Sequence, residues 1–296
     1  MCGIIGLFLK DPALEPRLGA LMSDMLVQMS ERGPDSAGFA VYDARGDQAR
    51  ITVRSDAAED LAGLDDALAD AMAAPTEMER RDTHAVLSVP ADRAAEAREA
   101  LKALRPGLDV MSWGEAIEIY KEVGAPQAVA GRFGLPAMRG THGVGHTRMA
   151  TESAVTTLGA HPFSTGPDQC LVHNGSLSNH NALRRELVRE GQAFETENDS
   201  EVAAAYLTAR MAQGADLGEA LERSLDDLDG FFTFVVGTQD GFGVLRDPVA
   251  CKPAILAETE RYVAFGSEYR ALADLPGIEA ARVWEPEPAT VYFWSH

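Results

Sequence analysis

Only three cysteines occur in 296 residues, Cys2, Cys170 and Cys251. They are widely spaced and odd in number, so neither a disulfide framework nor a zinc ribbon can be built from them, and a reducing cytoplasm is the expected setting. Basic residues are also scarce: 26 Lys and Arg stand against 46 Asp and Glu, a formal net charge of -20. Nucleic-acid affinity comes largely from Lys and Arg displacing counterions, so this charge excludes nucleic acid as a partner. Long apolar runs are missing as well. The start, Ile4 to Leu9, is only a strand's length and lacks the basic flank of a secretory signal, and no later segment is long enough to span a membrane. No dinucleotide fingerprint follows a strand, no Gly-rich phosphate loop precedes a helix, and no cysteine set suits an iron-sulfur cluster, so no cofactor is expected on this chain. Hydrophobic side chains, at 46%, suffice for one large core or two unequal ones in a soluble protein.

The opening stretch places Ile4, Gly6 and Phe8 on one face and Ile5, Leu7 and Leu9 on the other, which predicts a strand buried on both sides. From Arg17 to Ser30, Leu18, Leu21, Met22, Met25, Leu26 and Met29 recur at helical spacing, and Gly33-Pro34 stops the helix. Ala37 to Tyr42 and Ile51 to Val53 read as strands. From about Ala57 to Arg139 the texture changes: Ala/Glu/Arg-rich helical stretches alternate with short apolar strands at His84 to Val89 and Leu108 to Ser112. That is the rhythm of a small α/β insert interrupting one domain over 1–296. Beyond Gly140, strands are expected at Val144 to Thr147, Gln169 to His173, Phe231 to Gly237, Phe242 to Leu245, Ala254 to Ala257 and Tyr262 to Phe265. Helices are expected at His180 to Glu190, Asp199 to Met211 and Leu217 to Leu225. The short turns between strands predict a largely antiparallel sheet.

Cys2 follows the initiator Met directly. It can become the first residue of the mature chain, and its own α-amine, with an unperturbed pKa of about 7.7 to 8.0, can then act as its base. A thiol of pKa about 8.5 needs only modest help to become a nucleophile. His142 and His146 stand four apart, with His161, His173 and His180 following, but Gly143 and Gly145 break the helix that an i, i+4 ligand pair requires. No metal is expected. Cys170 and Cys251 read as small buried residues.

Met1-Cys2-Gly3-Ile4-Ile5-Gly6 resembles the start of the class II glutamine amidotransferases, the amino-terminal-nucleophile group that feeds ammonia from glutamine to a synthase. Arg32-Gly33-Pro34-Asp35, Gly145-His146-Thr147-Arg148-Met149-Ala150-Thr151, Gly159-Ala160-His161-Pro162-Phe163, His173-Asn174-Gly175 and Asn198-Asp199-Ser200-Glu201 resemble that family's motifs in the family's order. So do Arg246-Asp247-Pro248 with Lys252-Pro253, and then Gly266-Ser267-Glu268. The resemblance implies an α+β fold, a four-layer αββα sandwich of antiparallel sheets with the α/β insert at one edge.

It also implies roles. Cys2 is the catalytic nucleophile. Arg148 clamps the α-carboxylate of glutamine, which calls for a guanidinium with paired donors, and the strand around it, with His146 and Thr151, lines the pocket. Asp199 receives the α-ammonium. Asn174 and Gly175 supply an amide and a backbone N–H for the oxyanion. Each has a plainer alternative: a surface ion pair for Arg148, a capping box of Asn198 with Glu201 at the start of a helix, and a tight hairpin turn at Asn174-Gly175.

A finer resemblance, to the stand-alone amidotransferase-like component of N-methylglutamate synthase and the amidotransferase part of glutamate synthase, rests on Glu118 to Gly124, Gly145 to Thr157, Cys170 to Asn181, Tyr262 to Leu272 and Glu285 to Tyr292. Met149 stands where many class II enzymes have tryptophan, and Asn198 where threonine is common. The resemblance implies a hetero-oligomer with a flavin-dependent synthase subunit, which would carry FMN and an iron-sulfur cluster, and a β-helix-type subunit. The assembly would make N-methylglutamate from methylamine and a glutamate source, with glutamine or glutamate bound on this chain. The alternative is a non-catalytic structural or glutamine-sensing subunit of a glutamate-synthase-like complex. Retention of Met1 would favour it, because the α-amine would then be an amide nitrogen.

Overall fold

The computed structural model describes residues 2–44, 46–149 and 155–296. The apolar opening forms β1 (Gly3–Leu9), followed by α1 (Leu18–Gln28) and β2 (Ser36–Tyr42). A separate block comes next: β3 (Gln48–Arg54), α2 (Leu64–Met72), β4 (Glu77–Arg81), β5 (His84–Pro90), α3 (Ala94–Leu104) and β6 (Asp109–Gly114). The chain returns through β7 (Ile117–Val123), α4 (Pro126–Arg132) and β8 (His142–Arg148), then β9 (Cys170–Leu177), α5 (His180–Arg189), α6 (Asp199–Ala212) and α7 (Leu217–Asp227). It finishes with β10 (Gly230–Gly237), β11 (Gly241–Arg246), β12 (Ile255–Glu258), β13 (Tyr262–Gly266), β14 (Arg282–Trp284) and β15 (Thr290–Ser295).

Seven strands form one antiparallel sheet in the order β14-β12-β13-β1-β8-β2-β7, and four form a second in the order β15-β11-β10-β9. Alternation along β1 explains the stacking. Ile4 and Phe8 point inward and share a buried cluster with Val172, Val235 and Val244 of the second sheet. Ile5, Leu7 and Leu9 point outward onto Leu21, Met22, Met25 and Leu26 of α1. Beyond the second sheet, Phe232, Phe234 and Leu245 meet α6 and α7 through Val202, Leu207 and Leu221. Helix, sheet, sheet and helix make the αββα sandwich. Among the described residues no helix is long and apolar enough to cross a membrane.

The insert sits elsewhere than the expected 57–139. Its four-stranded sheet, β4-β5-β3-β6, already contains β3, whereas β7 pairs with β2 of the large sheet from Ser36↔Val123 to Tyr42↔Ile117. The separate block thus runs from Gln48 to Gly114, with its own core of Ile51, Val53, Leu68, Leu87 and Leu101. Composition misplaces the boundary because β7 carries charges that read as surface but are buried in pairs. Glu118 meets Arg50 and accepts the Tyr120 hydroxyl, Glu122 accepts the Thr157 hydroxyl, and Lys121 Nζ donates to the carbonyls of Leu158, Ala160 and Pro162 at 3.1, 2.9 and 3.3 Å.

Candidate active site

Cys2 precedes the first residue of β1. The register Gly3↔Thr147 and Ile4↔His146 places position 2 opposite Arg148. Positions two apart on a strand share a face, so Cys2, His146 and Arg148 lie on the inner side with Ile4. Two distant segments, 32–33 and 267–268, fix this end of the chain. Arg32 Nε donates to the Cys2 carbonyl at 3.0 Å while its Nη1 pairs with Glu268 at 2.6 Å. The N–H of Ile4 donates to Ser267 Oγ at 2.9 Å, and the Ser267 N–H returns to the Ile4 carbonyl at 3.0 Å. Gly33 presses so closely on β8 that a Cβ would stand 2.3 Å from the Thr147 carbonyl carbon, which admits only glycine there.

Burial pushes the Cys2 thiol up, yet a hydrogen bond and favourable charge from His146, with a further bond from the Met149 backbone, bring it down to about 6. Thiolate is thereby favoured at neutral pH. His146 is 1% exposed, and its Nε2 lies 3.1 Å from the His173 carbonyl. The His161 ring stacks on it at 4.0 Å. Behind, the Ser200 hydroxyl bridges His161 Nε2 at 2.9 Å and His173 Nδ1 at 2.8 Å. Burial holds His161 well below its ordinary value and His173 at about 4, so both are neutral near pH 7.

Asn174 and Gly175 lie within β9, opposite Thr233 and Phe232 of β10, and not in a hairpin turn. Asn174 Nδ2 comes 3.4 Å from the Cys2 carbonyl oxygen. Gly175 has φ +154°, and a Cβ on it would lie 2.0 Å from the Phe231 carbonyl oxygen. Nearby, a cleft of about 520 Å³ is lined by Arg148, Gly159, Ser176, His180, Asn198 and Asp199, among others. Arg148 Nη1 donates to the Gly159 carbonyl at 3.3 Å. Asp199 accepts the Leu177 N–H at 2.9 Å and the Ser200 hydroxyl at 3.3 Å. No capping box forms: Asn198 accepts the Ser200 N–H at 2.9 Å, but Glu201 turns away to the N–H groups of Glu195 and Thr196. Asp199 is left on the cleft wall. The structure thus gathers Cys2, His146 and Asn174 at the strand ends, and Arg148 and Asp199 on the adjoining cleft. Thr151 and Met1 lie outside the described residues.

A family model described as a glutamine amidotransferase domain matches residues 146–274. The glutamine amidotransferase-like protein GlxB of Rhizobium meliloti (strain 1021) is 66% identical over 298 residues, 100% of this chain and 99% of its own. The chain belongs to the class II glutamine amidotransferases. A putative glutamine amidotransferase of Methanothermobacter thermautotrophicus is 34% identical over 99% of each chain. The solved glutamine phosphoribosylpyrophosphate amidotransferase from B. subtilis shares the fold, with TM-score 0.63 and 18% identity over 99% of this chain. The amidotransferase chain described here spans only about half of that structure's length, 47%.

Two family motifs serve this amidotransferase as braces away from the cleft. Arg246 donates to the carbonyls of Pro286, Ala250 and Lys252 at 2.7, 2.9 and 3.2 Å, and Asp247 caps the N–H groups of Val249 and Ala250 at 2.9 and 3.2 Å. Cys251, expected to be buried, is exposed in this turn, whose bonds are made by its neighbours. Cys170 is buried, and burial pushes its thiol up to about 12. His142 and His146 share a strand face about 13 Å apart at 3.3 Å per residue, too far to hold one ion. His142 instead stacks on Tyr42 at 4.3 Å. Among the described residues no group of three or more His, Cys, Asp or Glu side chains is placed to hold a metal. Sequence reasoning missed Ser176 and His180 on the cleft, and missed Ser200 as the link between two histidines. Only the adjacency of Ser200 to Asp199 hinted at the last.

Proposed function

We propose that this chain is the glutaminase component of a multi-subunit synthase and hydrolyses glutamine to glutamate and ammonia through a Cys2 thioester. The observation that carries the reading is the presence of both Arg148 and Asp199 on the lining of one cleft, with Arg148 facing the strand position of Cys2. A guanidinium suits the α-carboxylate and a carboxylate suits the α-ammonium, so the side-chain amide is the end of glutamine left to reach the thiol. Asn174 Nδ2 and the Gly175 N–H are the donors for the oxyanion. In the mechanism that the resemblance implies, the α-amine freed by removal of Met1 is the base.

The finer reading is a cytoplasmic N-methylglutamate synthase. Its flavin-dependent subunit would bear FMN and an iron-sulfur cluster, a β-helix-type subunit would complete it, and this chain would bear no cofactor. The motif segments at 118–124, 170–181 and 285–292 support it. The test is release of glutamate and ammonia from glutamine by the purified chain, with intact mass recorded, beside Cys2→Ala and with the synthase partners added. Turnover that Cys2→Ala abolishes is expected. No turnover from a Met-free chain with its synthase present would make this a structural or glutamine-sensing subunit. Product analysis with methylamine separates N-methylglutamate formation from glutamate formation.

A further inference from the structure

Ser200, the second residue of α6, is 1% exposed, and its hydroxyl meets three polar groups at once. His161 Nε2 lies 2.9 Å from Oγ, His173 Nδ1 2.8 Å and Asp199 Oδ1 3.3 Å. A hydroxyl has one proton and two lone pairs, and a carboxylate only accepts. The proton therefore goes to Asp199, and both imidazoles donate to Ser200 Oγ. That assigns the N–H of His161 to Nε2 and the N–H of His173 to Nδ1. The other two nitrogens agree. His161 Nδ1 and His173 Nε2 are buried without a hydrogen-bond partner among the described residues, and a neutral ring whose one proton points at Ser200 leaves only a lone pair there, not a stranded donor. Asp199 Oδ1 also lies 3.9 Å from His173 Nδ1, where a carboxylate favours an N–H over a bare nitrogen.

The placement bears on the substrate site. Asp199 Oδ2 accepts the Leu177 N–H at 2.9 Å, so each carboxylate oxygen has a fixed partner while the residue lines the cleft. Through His173 and Leu177 the start of α6 is tied to β9 on either side of Asn174-Gly175. The His161 bond ties it also to the segment just beyond Gly159, whose carbonyl accepts from Arg148. We propose that Ser200 is the positioning residue for the amino-acid end of glutamine: its hydroxyl aims the Asp199 carboxylate at the α-ammonium and fixes its distance from Asn174 and Gly175. The inference rests on Asp199 being the acceptor of that ammonium. A carboxylate already held in one rotamer loses less side-chain freedom when the ammonium arrives. A ligand without the α-ammonium gains nothing from this, so Ser200 contributes to discrimination between ligands.

Calorimetry with the Cys2→Ala chain, which holds glutamine without turning it over, compares L-glutamine with glutaramate, the same molecule lacking the α-amine. The preference for glutamine is expected to fall about tenfold when Ser200→Ala is added, the loss of one hydrogen bond to a charged group, and to be kept in Ser200→Thr, which retains the hydroxyl. An unchanged preference in a folded Ser200→Ala chain would overturn the proposal, and so would an equal loss for both ligands, which is what a general loosening gives. Proton–nitrogen correlation spectra of the imidazoles in the unsubstituted chain are expected to find the proton of His161 on Nε2 and that of His173 on Nδ1. The opposite tautomer in either ring would overturn the proposal without any variant having to fold. Glutamine turnover is read separately: a chain with Cys2 that prefers glutamine yet releases no ammonia with its synthase present would refute the glutaminase reading and leave the role of Ser200 in place. A chain with Ser200 that shows no preference for glutamine would overturn the ammonium role of Asp199 and this proposal with it.

Discussion

At the scale of single residues, the site is built from side chains whose chemistry is distinctive and whose positions are not interchangeable. Asn174→Ala removes one of the two proposed oxyanion donors and is expected to lower kcat by about 10²- to 10³-fold with KM little changed, read from steady-state glutamine hydrolysis. A parallel fall in the far-UV signal would instead mean a folding defect. Arg148→Lys keeps the charge but loses the paired donors, and Asp199→Asn removes the charge opposite, so each is expected to raise KM for glutamine more than it lowers kcat. Gly175→Ala is expected to destabilise the whole chain, because its Cβ would run into the Phe231 carbonyl at 2.0 Å in a backbone conformation that favours glycine. An unchanged Tm would refute that. Motif order singles out Cys2, Arg148, Asn174 and Asp199 as candidates. It also contains His161 and Ser200, but not their contact, which joins residues 39 apart that no local pattern connects.

Among the elements, β7 shows why charged strands deceive. Lys121 is buried with three carbonyls of the segment that also supplies Gly159 to Arg148. Lys121→Met is expected to loosen that segment and raise KM for glutamine while leaving Cys2 alkylation intact. Burial lowers the Lys121 ammonium from 10.5 to about 8. Between those values the unfolded chain binds the proton that the folded chain has lost, so this group's contribution to stability rises with pH across that window. Urea midpoints of wild type and Lys121→Met, compared from pH 8 to 10.5, should rise more steeply with pH in the wild type. Parallel profiles would count against a buried ammonium at this place. The strand was unread because Glu118, Lys121 and Glu122 look solvated until their partners, 68, 37 to 41 and 35 residues away, are in place.

For the molecule as a whole, four buried histidines make acid the weak side, His161 held well below its ordinary value among them. Burial depresses His84 and His142 to about 3 and His173 to about 4, against 6.5 unfolded. Their contribution is fully present above 6.5 and is lost as pH falls through the folded values, by about 1.4 kcal/mol per pH unit for each group. Urea midpoints should therefore decline from pH 6.5 toward 4, and His84→Phe, placed against Phe133 at 4.6 Å, should flatten the slope. A profile flat across that range would mean that these rings titrate normally.

The sequence by itself determined the class of molecule. Alternating and helical periodicities specified most strands and helices, since each reflects burial of a local face. The ordered motifs specified the amidotransferase family and singled out Cys2 as the proposed nucleophile. Tertiary structure alone decided the insert's limits, the strand setting of Asn174-Gly175, the freeing of Asp199 from a capping box and the imidazole beside Cys2. Each of those depends on which strands pair and in what register, and pairing is settled by contacts between distant residues that no window of sequence contains.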